Sequence, residues 1–255
     1  MQASTAVWLK GKTGPRGPRQ GARVVQGILF DKDGTLFHFG ATWNAWAQAV
    51  LADLAQGCET RAEALAAATR FDRATGAFHP DSPVIAGTNR EVAQLLASAL
   101  PGRSLGEIEA LLIHHASTAP QAPAVPLAPF LADLRARGLR LGVMTNDAEA
   151  AALAHLDTAK VRHLFDFIAG FDSGYGAKPA PQPLLAFAEA MALAPAQVVM
   201  VGDSTHDLIA GRAAGMKTIA VLTGMAGPAD LAPLADAVLP DIGHIPGWLQ
   251  AQGWG

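Results

Sequence analysis

The chain has 255 residues, of which 50% are hydrophobic and 16% are charged, and 19 basic against 22 acidic residues give a formal net charge of −3. This length allows a large hydrophobic core, and a weakly acidic chain carries no overall electrostatic attraction for nucleic acid. Cys58 is the only cysteine, which excludes an intramolecular disulfide and a zinc site built from several cysteines. No apolar run approaches the roughly 18 residues of a membrane span, so we expect a cytoplasmic protein without membrane or nucleic-acid partners.

Residues 1–23 differ from the rest of the chain because they contain five basic residues and no acidic residue, together with many glycines and prolines. They lack the apolar segment that follows the positive start of a secretory signal. We therefore predict a disordered extension over residues 1–23 and assign it no function.

From residue 24 onward, short apolar runs alternate with amphipathic stretches. The runs are rich in Val, Ile, Leu and Met without hydrophobic–polar alternation, as is typical of parallel strands that are covered on both faces. Strand–helix alternation predicts an α/β fold with a doubly wound parallel sheet. The predicted strands are residues 24–30, 139–145, 167–171, 198–201 and 218–222, and the predicted helices are residues 126–137, 148–158, 181–191, 207–214 and 230–234.

One interval, residues 38–125, interrupts this alternation and contains no convincing strand. Four helical patterns occupy it, and the last of them opens with the capping box Ser104-x-x-Glu107. Prolines spaced by three near residue 123 indicate a semi-rigid connector back to the sheet. We therefore predict an inserted all-helical domain at 38–125, between the two parts of the α/β core at 24–37 and 126–255. Its predicted helices are residues 42–55, 60–74, 88–100 and 104–117.

Two carboxylates follow the first predicted strand. Residues i and i+2 of an extended chain face the same side, so Asp31 and Asp33 aim together at the carboxyl edge of the sheet and Lys32 points away. Two adjacent carboxylates do not both ionise easily, and a divalent cation on one of them would separate their roles. Gly34 allows a tight turn and a close approach to a bound anion. The structural alternative is an ordinary Asp-Gly turn.

Polar residues also follow the other strands, and ligands of such sheets bind at the carboxyl ends of the strands. Thr145 and Asn146 follow the second strand and are suited to phosphate oxygens, while Lys178 lies in a turn after the third. Asp203 and Asp207 follow the fourth strand and can present oxygens to a hard cation. Taken singly, these residues also fit helix caps and a solvated lysine. Their order and placement favour one shared site.

As a set, these motifs resemble the four motifs of the haloacid dehalogenase superfamily. The chain is most similar to its magnesium-dependent phosphatases with a helical cap after the first motif, and in general to phosphoglycolate phosphatases and β-phosphoglucomutases. The likeness is weakest at residues 37–39, where the chain enters the insertion. The residues that carry it are Asp31, Asp33, Gly34 and Thr35, then Thr145, then Lys178 and Pro179, and finally Gly202, Asp203 and Asp207.

The resemblance implies a mechanism on a small phosphate ester. Asp31 would be the nucleophile that becomes an aspartyl-phosphate, and Asp33 would protonate the leaving oxygen and then deprotonate the attacking water. Mg²⁺ would be the cofactor, with Asp207 bound directly or through water. The implied metal ligands are Asp31, Asp33, Asp203 and Asp207, and the implied phosphate-binding residues are Gly34, Thr145, Asn146 and Lys178.

Three alternatives stay open at this point. One is a phosphomutase of the β-phosphoglucomutase type, which protects its aspartyl-phosphate from water. The others are a catalytically silent binding module and a signalling receiver, although a receiver orders its acids, phospho-acceptor and lysine differently. We expect Trp43 and Trp46 to belong to a core and His206 to face solvent, and the sequence makes no prediction of the oligomeric state.

Overall fold

A computed structural model of the chain describes residues 25–254, and the extension predicted for residues 1–23 lies outside them. The described residues contain eight strands: β1 (Gly27–Phe30), β2 (Phe71–Asp72), β3 (Ala77–Phe78), β4 (Arg140–Met144), β5 (Phe167–Ala169), β6 (Val198–Gly202), β7 (Lys217–Val221) and β8 (Ala237–Leu239). Six of them form one parallel sheet in the order β5-β4-β1-β6-β7-β8, and β2 and β3 form a short antiparallel hairpin.

The predicted α/β parallel fold is confirmed, with shifts at the ends of elements. The second predicted helix, for example, ends at Thr69 instead of residue 74, because the chain turns there into the hairpin. Strand β8 was not predicted. The described helices are α1 (Phe39–Ala55), α2 (Glu59–Thr69), α3 (Asn89–Ala97), α4 (Leu105–Thr118), α5 (Leu127–Ala136), α6 (Glu149–Thr158), α7 (Gln182–Ala190), α8 (Thr205–Ala213), α9 (Pro228–Leu231) and α10 (Ile245–Ala251).

Strand β1 lies at the centre of the sheet, between β4 and β6. The chain adds β4 and β5 on one side of β1 and then returns to add β6, β7 and β8 on the other side. All residues of β1 and β6 are buried, as expected for strands covered on both faces. The reversal at β1 makes a crevice at the carboxyl ends of β4, β1 and β6, where ligands of such sheets bind.

Alternate residues of β1 pack into different cores on the two faces of the sheet. On one face, Phe30 belongs to a cluster with Leu131 of α5 and Trp248 of α10. On the other face, Leu29 packs with Phe187 of α7. Successive strand residues point to opposite faces, so one strand supplies both cores and fixes the position of its own carboxyl end.

The interval at 38–125 folds into α1 to α4 and the β2–β3 hairpin. These elements have a hydrophobic core of their own, which includes Trp43, Trp46 and Leu112 and is joined by Ala151 of α6. The capping box at Ser104 is present, as predicted. The hairpin corrects the prediction that this interval is entirely helical, while the domain boundaries at 37/38 and 125/126 stay a prediction.

Among the described residues, no helix combines the length and the apolar character that crossing a bilayer requires. Cytoplasmic localisation stays a prediction.

We expect Gly142→Ala to destabilise the fold, because Gly142 of β4 leaves room for the aromatic ring that covers the sheet. A Cβ at this position would lie 2.7 Å from Cδ2 of Phe187 and 2.9 Å from Cδ1 of Leu29. Overpacking of this kind lowers the free energy of unfolding by about 1–3 kcal/mol, measurable by urea denaturation. The matched control is Gly106→Ala in α4, where a Cβ meets nothing within 4 Å. Equal losses in the two variants would contradict the argument.

Candidate active site

Three buried carboxylates meet at the crevice. Asp31 directly follows β1, Asp203 directly follows the neighbouring β6, and Asp207 lies in the first turn of α8. One oxygen of each carboxylate lies within 4.8 Å of those of the other two. The structure therefore brings together acids that are more than 170 positions apart in the chain, because β1 and β6 are adjacent parallel strands.

Lys178 reaches the same point from the loop after β5. Its Nζ lies 2.5 Å from Oδ1 of Asp31 and 2.6 Å from Oδ1 of Asp207, and the lysine side chain is 3% exposed. The other oxygen of Asp207 accepts hydrogen bonds from the N–H and hydroxyl groups of Ser204. One ammonium group thus joins the first and the last acid of the predicted site.

Asn146 holds the lysine loop in place. Its Oδ1 accepts a hydrogen bond from the N–H of Lys178 (2.9 Å), and its Nδ2 donates to the Lys178 carbonyl (2.8 Å) and to the Ala86 carbonyl of the insertion (2.9 Å). Both polar atoms of the Asn146 side chain are therefore hydrogen-bonded to backbone groups. Neighbouring Thr145 is buried beside it and accepts a hydrogen bond from the N–H of Asp147.

Gly34 turns the chain just after the two acids. Its φ of +87° lies in the left-handed region that favours glycine, and a Cβ here would overlap the carboxylate of Asp203. The N–H of Gly34 already donates to the Phe37 carbonyl (2.7 Å), so the phosphate contact predicted for this residue would compete with that bond. The observed task of Gly34 is to make room for Asp203.

Lys178 does not fully compensate the negative charge of the buried carboxylates. Burial raises the pKa of Asp31 to about 7, with the attraction of Lys178 opposing this and the Asp207 and Asp33 carboxylates adding to it. Burial, together with Asp31 and Asp207, also raises the pKa of Asp203 well above its usual range. Burial alone would lower the pKa of Lys178, but the two carboxylates it contacts outweigh this and raise it. One lysine cannot neutralise this cluster, and its oxygens suit a hard divalent cation.

Lys32 is the main residue whose environment the sequence did not reveal. The prediction that Lys32 points away from Asp31 and Asp33 is wrong for Asp33, which the lysine contacts, and the side chain is completely buried. Its Nζ contacts both oxygens of Asp33, at 2.7 and 2.9 Å, together with Oδ2 of Asp147 at 3.1 Å and Nδ1 of His155 at 2.8 Å. Sequence reasoning assigned no role to Asp147 or His155. Asp147 could have been noticed as a further acid directly after a strand, whereas His155 carries no such signal.

A chamber of about 50 Å³ lies above these groups, between the sheet and the insertion. The insertion lines it with aromatic and aliphatic side chains, among them Trp43, Trp46 and Ile85. Both tryptophans are buried in the insertion core, as predicted, and also face the chamber. His206 corrects the prediction of a solvent-facing residue, because it is half-buried and lines the chamber.

A wider groove of about 1130 Å³ adjoins the chamber and shares Ile85, Ser204 and His206 with it. It lies between α3 of the insertion and the loops after β6 and β7. The groove gives the acids a route to the surface.

Solved structures share this fold. A protein described as a haloacid dehalogenase-like hydrolase from Bacteroides fragilis superposes with a TM-score of 0.65 at 20% identity, covering 87% of this chain and 99% of that protein. A β-phosphoglucomutase from Clostridium difficile gives a TM-score of 0.62 at 15% identity, covering 89% and 96%. At these identities the likeness concerns the fold alone.

Comparison of the sequence with known proteins identifies the family. Phosphoglycolate phosphatase from Escherichia coli K12 is 37% identical over 102 residues, which are 38% of this chain and 40% of that enzyme. The chain thus matches less than half the length of this relative. The family model of haloacid dehalogenase-like hydrolases matches residues 25–215, which include every acid and the lysine of the site. The chain therefore belongs to the haloacid dehalogenase-like hydrolases.

Proposed function

We propose that the chain is a magnesium-dependent phosphatase of small phosphate monoesters that works through an aspartyl-phosphate on Asp31. The observation that carries the proposal is the convergence of Asp31, Asp203, Asp207 and Lys178 beneath a small chamber, with Asp33 beside them. Phosphoryl transfer depends on placement and charge neutralisation, which this arrangement supplies.

The first half-reaction uses the two acids that follow β1. A carboxylate oxygen of Asp31 forms a bond to phosphorus while the bond from phosphorus to the ester oxygen breaks. The proton of Asp33 passes to that leaving oxygen and releases the alcohol. Asp31 must be ionised for this attack, and the Lys178 ammonium at 2.5 Å favours its charged form.

The second half-reaction reverses the role of Asp33. Water attacks the phosphorus of the aspartyl-phosphate, Asp33 takes the proton from that water, and the bond between the Asp31 oxygen and phosphorus breaks. Inorganic phosphate leaves and the Asp31 carboxylate is restored. Lys178 and Thr145 would hold phosphoryl oxygens, with the backbone N–H groups at Asn146 as further donors.

The donor set fits a magnesium ion, because crowded buried carboxylate oxygens with one lysine leave negative charge for a divalent cation. The residues that would hold it are Asp31, Asp203 and the backbone carbonyl of Asp33. Both carboxylate oxygens of Asp207 already accept hydrogen bonds, so its main task would be to orient Lys178. When bound, magnesium supplies neutralisation of the charge that develops on the phosphoryl oxygens.

The chamber favours a compact leaving group, and a larger one would extend into the adjoining groove. The small volume of the chamber and its tryptophan lining leave little space above the acids. Relatives are phosphoglycolate phosphatases, so phosphoglycolate is the first ester to assay. Among the described residues that line the chamber, Lys178 is the only lysine or arginine, and the phosphoryl group would occupy it.

The phosphomutase and the silent binding module stay as alternatives. A mutase would convert a sugar phosphate into its isomer with little release of phosphate, whereas a silent module would release none from p-nitrophenyl phosphate with magnesium present.

Replacing the nucleophile tests the proposal directly. We expect Asp31→Asn to lower the rate of phosphate release from p-nitrophenyl phosphate at least about 10³-fold, because an amide oxygen does not form the covalent intermediate. Asp133→Asn, which changes an exposed acid of α5, is the matched control and should keep the wild-type rate. Equal rates in wild type and Asp31→Asn would reject the assignment of the nucleophile.

The chamber lining predicts the substrate preference. We compare phosphoglycolate with 2-hydroxyethyl phosphate, which replaces the carboxylate by an uncharged alcohol of similar size. A second anion would be desolvated in the chamber without a cation of its own, so we expect kcat/KM for 2-hydroxyethyl phosphate to equal or exceed that for phosphoglycolate. A preference for phosphoglycolate of tenfold or more would show that another group recognises the carboxylate.

The raised pKa values predict how magnesium stabilises the protein at different pH. The folded protein binds the Asp31 proton more tightly than the unfolded chain does, so this stabilising contribution is complete below pH 3.8 and is lost as the pH rises through about 7. Magnesium requires the deprotonated acids, so its stabilisation should increase over the same range. At a concentration 100 times the Kd it would contribute about 2.7 kcal/mol.

The measurement is the Tm with EDTA and with magnesium, at pH 5.5 and pH 7.5. We expect a larger increase at pH 7.5, and a smaller one in Asp203→Asn than in wild type. Equal increases at both pH values, or none in wild type, would contradict the proposed metal site.

A further inference from the structure

The mechanism proposed above gives Lys32 no role, although this residue lies between the catalytic acids Asp31 and Asp33 in the sequence. Its side chain is 0% exposed, and burying an ammonium group carries a penalty of several kcal/mol unless partners compensate it. A lysine in this position therefore needs a specific environment.

That environment uses every donor of the ammonium group. A lysine has three N–H donors, and the structure provides three partners: Asp33, Asp147 and His155. The carboxylates of Asp33 and Asp147 outweigh the effect of burial, which alone would lower the pKa of Lys32, and they raise it. These three contacts favour the charged form of the lysine and hold its ammonium group between them.

His155 accepts from Lys32 in a defined tautomer. Burial, followed by the charge of Lys32, lowers the pKa of His155, which favours the neutral ring. Its Nε2 lies 2.6 Å from the carbonyl oxygen of Ala116, which can only accept. Nε2 therefore carries the hydrogen and Nδ1 accepts from Lys32, which can only donate.

The same groups connect Lys32 to three helices of the insertion. Asn89 of α3 donates to Oδ1 of Asp147 (3.1 Å), and Ala116 of α4 accepts from His155. The ring of Trp43 in α1 lies 5.5 Å from the Lys32 Nζ, within cation–π range. The ammonium group thus stands at the junction of the sheet and the insertion.

The contacts of Lys32 fix the orientation of the Asp33 carboxylate. Its side chain is 12% exposed, with one side on Lys32 and the other facing the chamber. Without the lysine, both carboxylate oxygens would lose their partner, and the group could rotate away from the leaving oxygen. A displacement of about 1 Å is sufficient to reduce a rate about 10²-fold.

We propose that Lys32 is a positioning residue: it holds the carboxyl group of Asp33 in place for proton transfer and links that placement to the packing of α1, α3 and α4 over the site. The inference rests on the proposed function. The step concerned is the transfer of the Asp33 proton to the ester oxygen while the bond from that oxygen to phosphorus breaks and the Asp31 oxygen bonds to phosphorus.

The test is the dependence of kcat/KM on the leaving group. We compare p-nitrophenyl phosphate, whose leaving group departs without a proton, with ethyl phosphate, whose leaving group requires one. We expect Lys32→Met to reduce kcat/KM for ethyl phosphate at least about tenfold more than for p-nitrophenyl phosphate, because only the first ester depends on general acid catalysis. Since kcat/KM reports the steps up to release of the alcohol, the hydrolysis of the aspartyl-phosphate does not mask the effect.

Two further variants separate positioning from stability. Asp147→Asn removes the negative charge of one partner of Lys32 without contact to Asp33, and we expect the same selective loss at a smaller size. Thr69→Val removes a buried hydroxyl of the insertion that bonds to the Leu65 carbonyl, far along the chain from Lys32, and should affect both esters equally. If Lys32→Met does not fold, as judged by circular dichroism, the ratio measured for Asp147→Asn decides.

The outcomes are distinguishable. Equal losses for the two esters, or a larger loss for p-nitrophenyl phosphate, would overturn the positioning role and leave the proposed function intact. Absence of phosphate release from both esters by the wild-type protein would instead reject the proposed function.

Discussion

The contact on which the site depends is the one between the Lys178 ammonium and the carboxylates of Asp31 and Asp207. Three acids are buried within a few ångströms of one another, and such a cluster is unfavourable unless cations compensate it. Lys178 provides part of this compensation, and the remaining negative charge makes the site receptive to a divalent cation. The same balance places the pKa of Asp31 at about 7, so its carboxyl group is ionised above that pH.

The sheet supplies the precision that this contact needs. Asp31 and Asp203 follow neighbouring strands whose backbones are paired by hydrogen bonds, so their separation is set by the spacing of strands and not by a flexible loop. Gly34 allows Asp203 to approach closely. Lys178 lies on a longer loop, and Asn146 fixes that loop to the end of β4. The rigid scaffold holds the charged groups together despite their repulsion.

The insertion contributes to the site in two ways, and different residues are responsible for each. Trp43 and Trp46 line the chamber over the acids. Asn89 and the Ala116 carbonyl reach the buried network around Lys32, so the helices over the site are hydrogen-bonded to the same network that contacts Asp33. In this arrangement, the insertion that lines the chamber also contacts the residues that surround Lys32.

The sequence by itself determined the parallel α/β fold, the place of the insertion and the identity of the groups at the carboxyl ends of the strands. These follow from local patterns, since apolar runs mark buried strands and the residue after each strand must lie at the same edge. Only the tertiary structure decided the hairpin, the shared role of Lys178 and the burial of Lys32. The partners of Lys32 at Asp147 and His155 are 115 and 123 positions away, and no local pattern indicates which distant side chains will enclose a charge. That depends on how the insertion packs on the sheet, because burial is a property of the assembled fold.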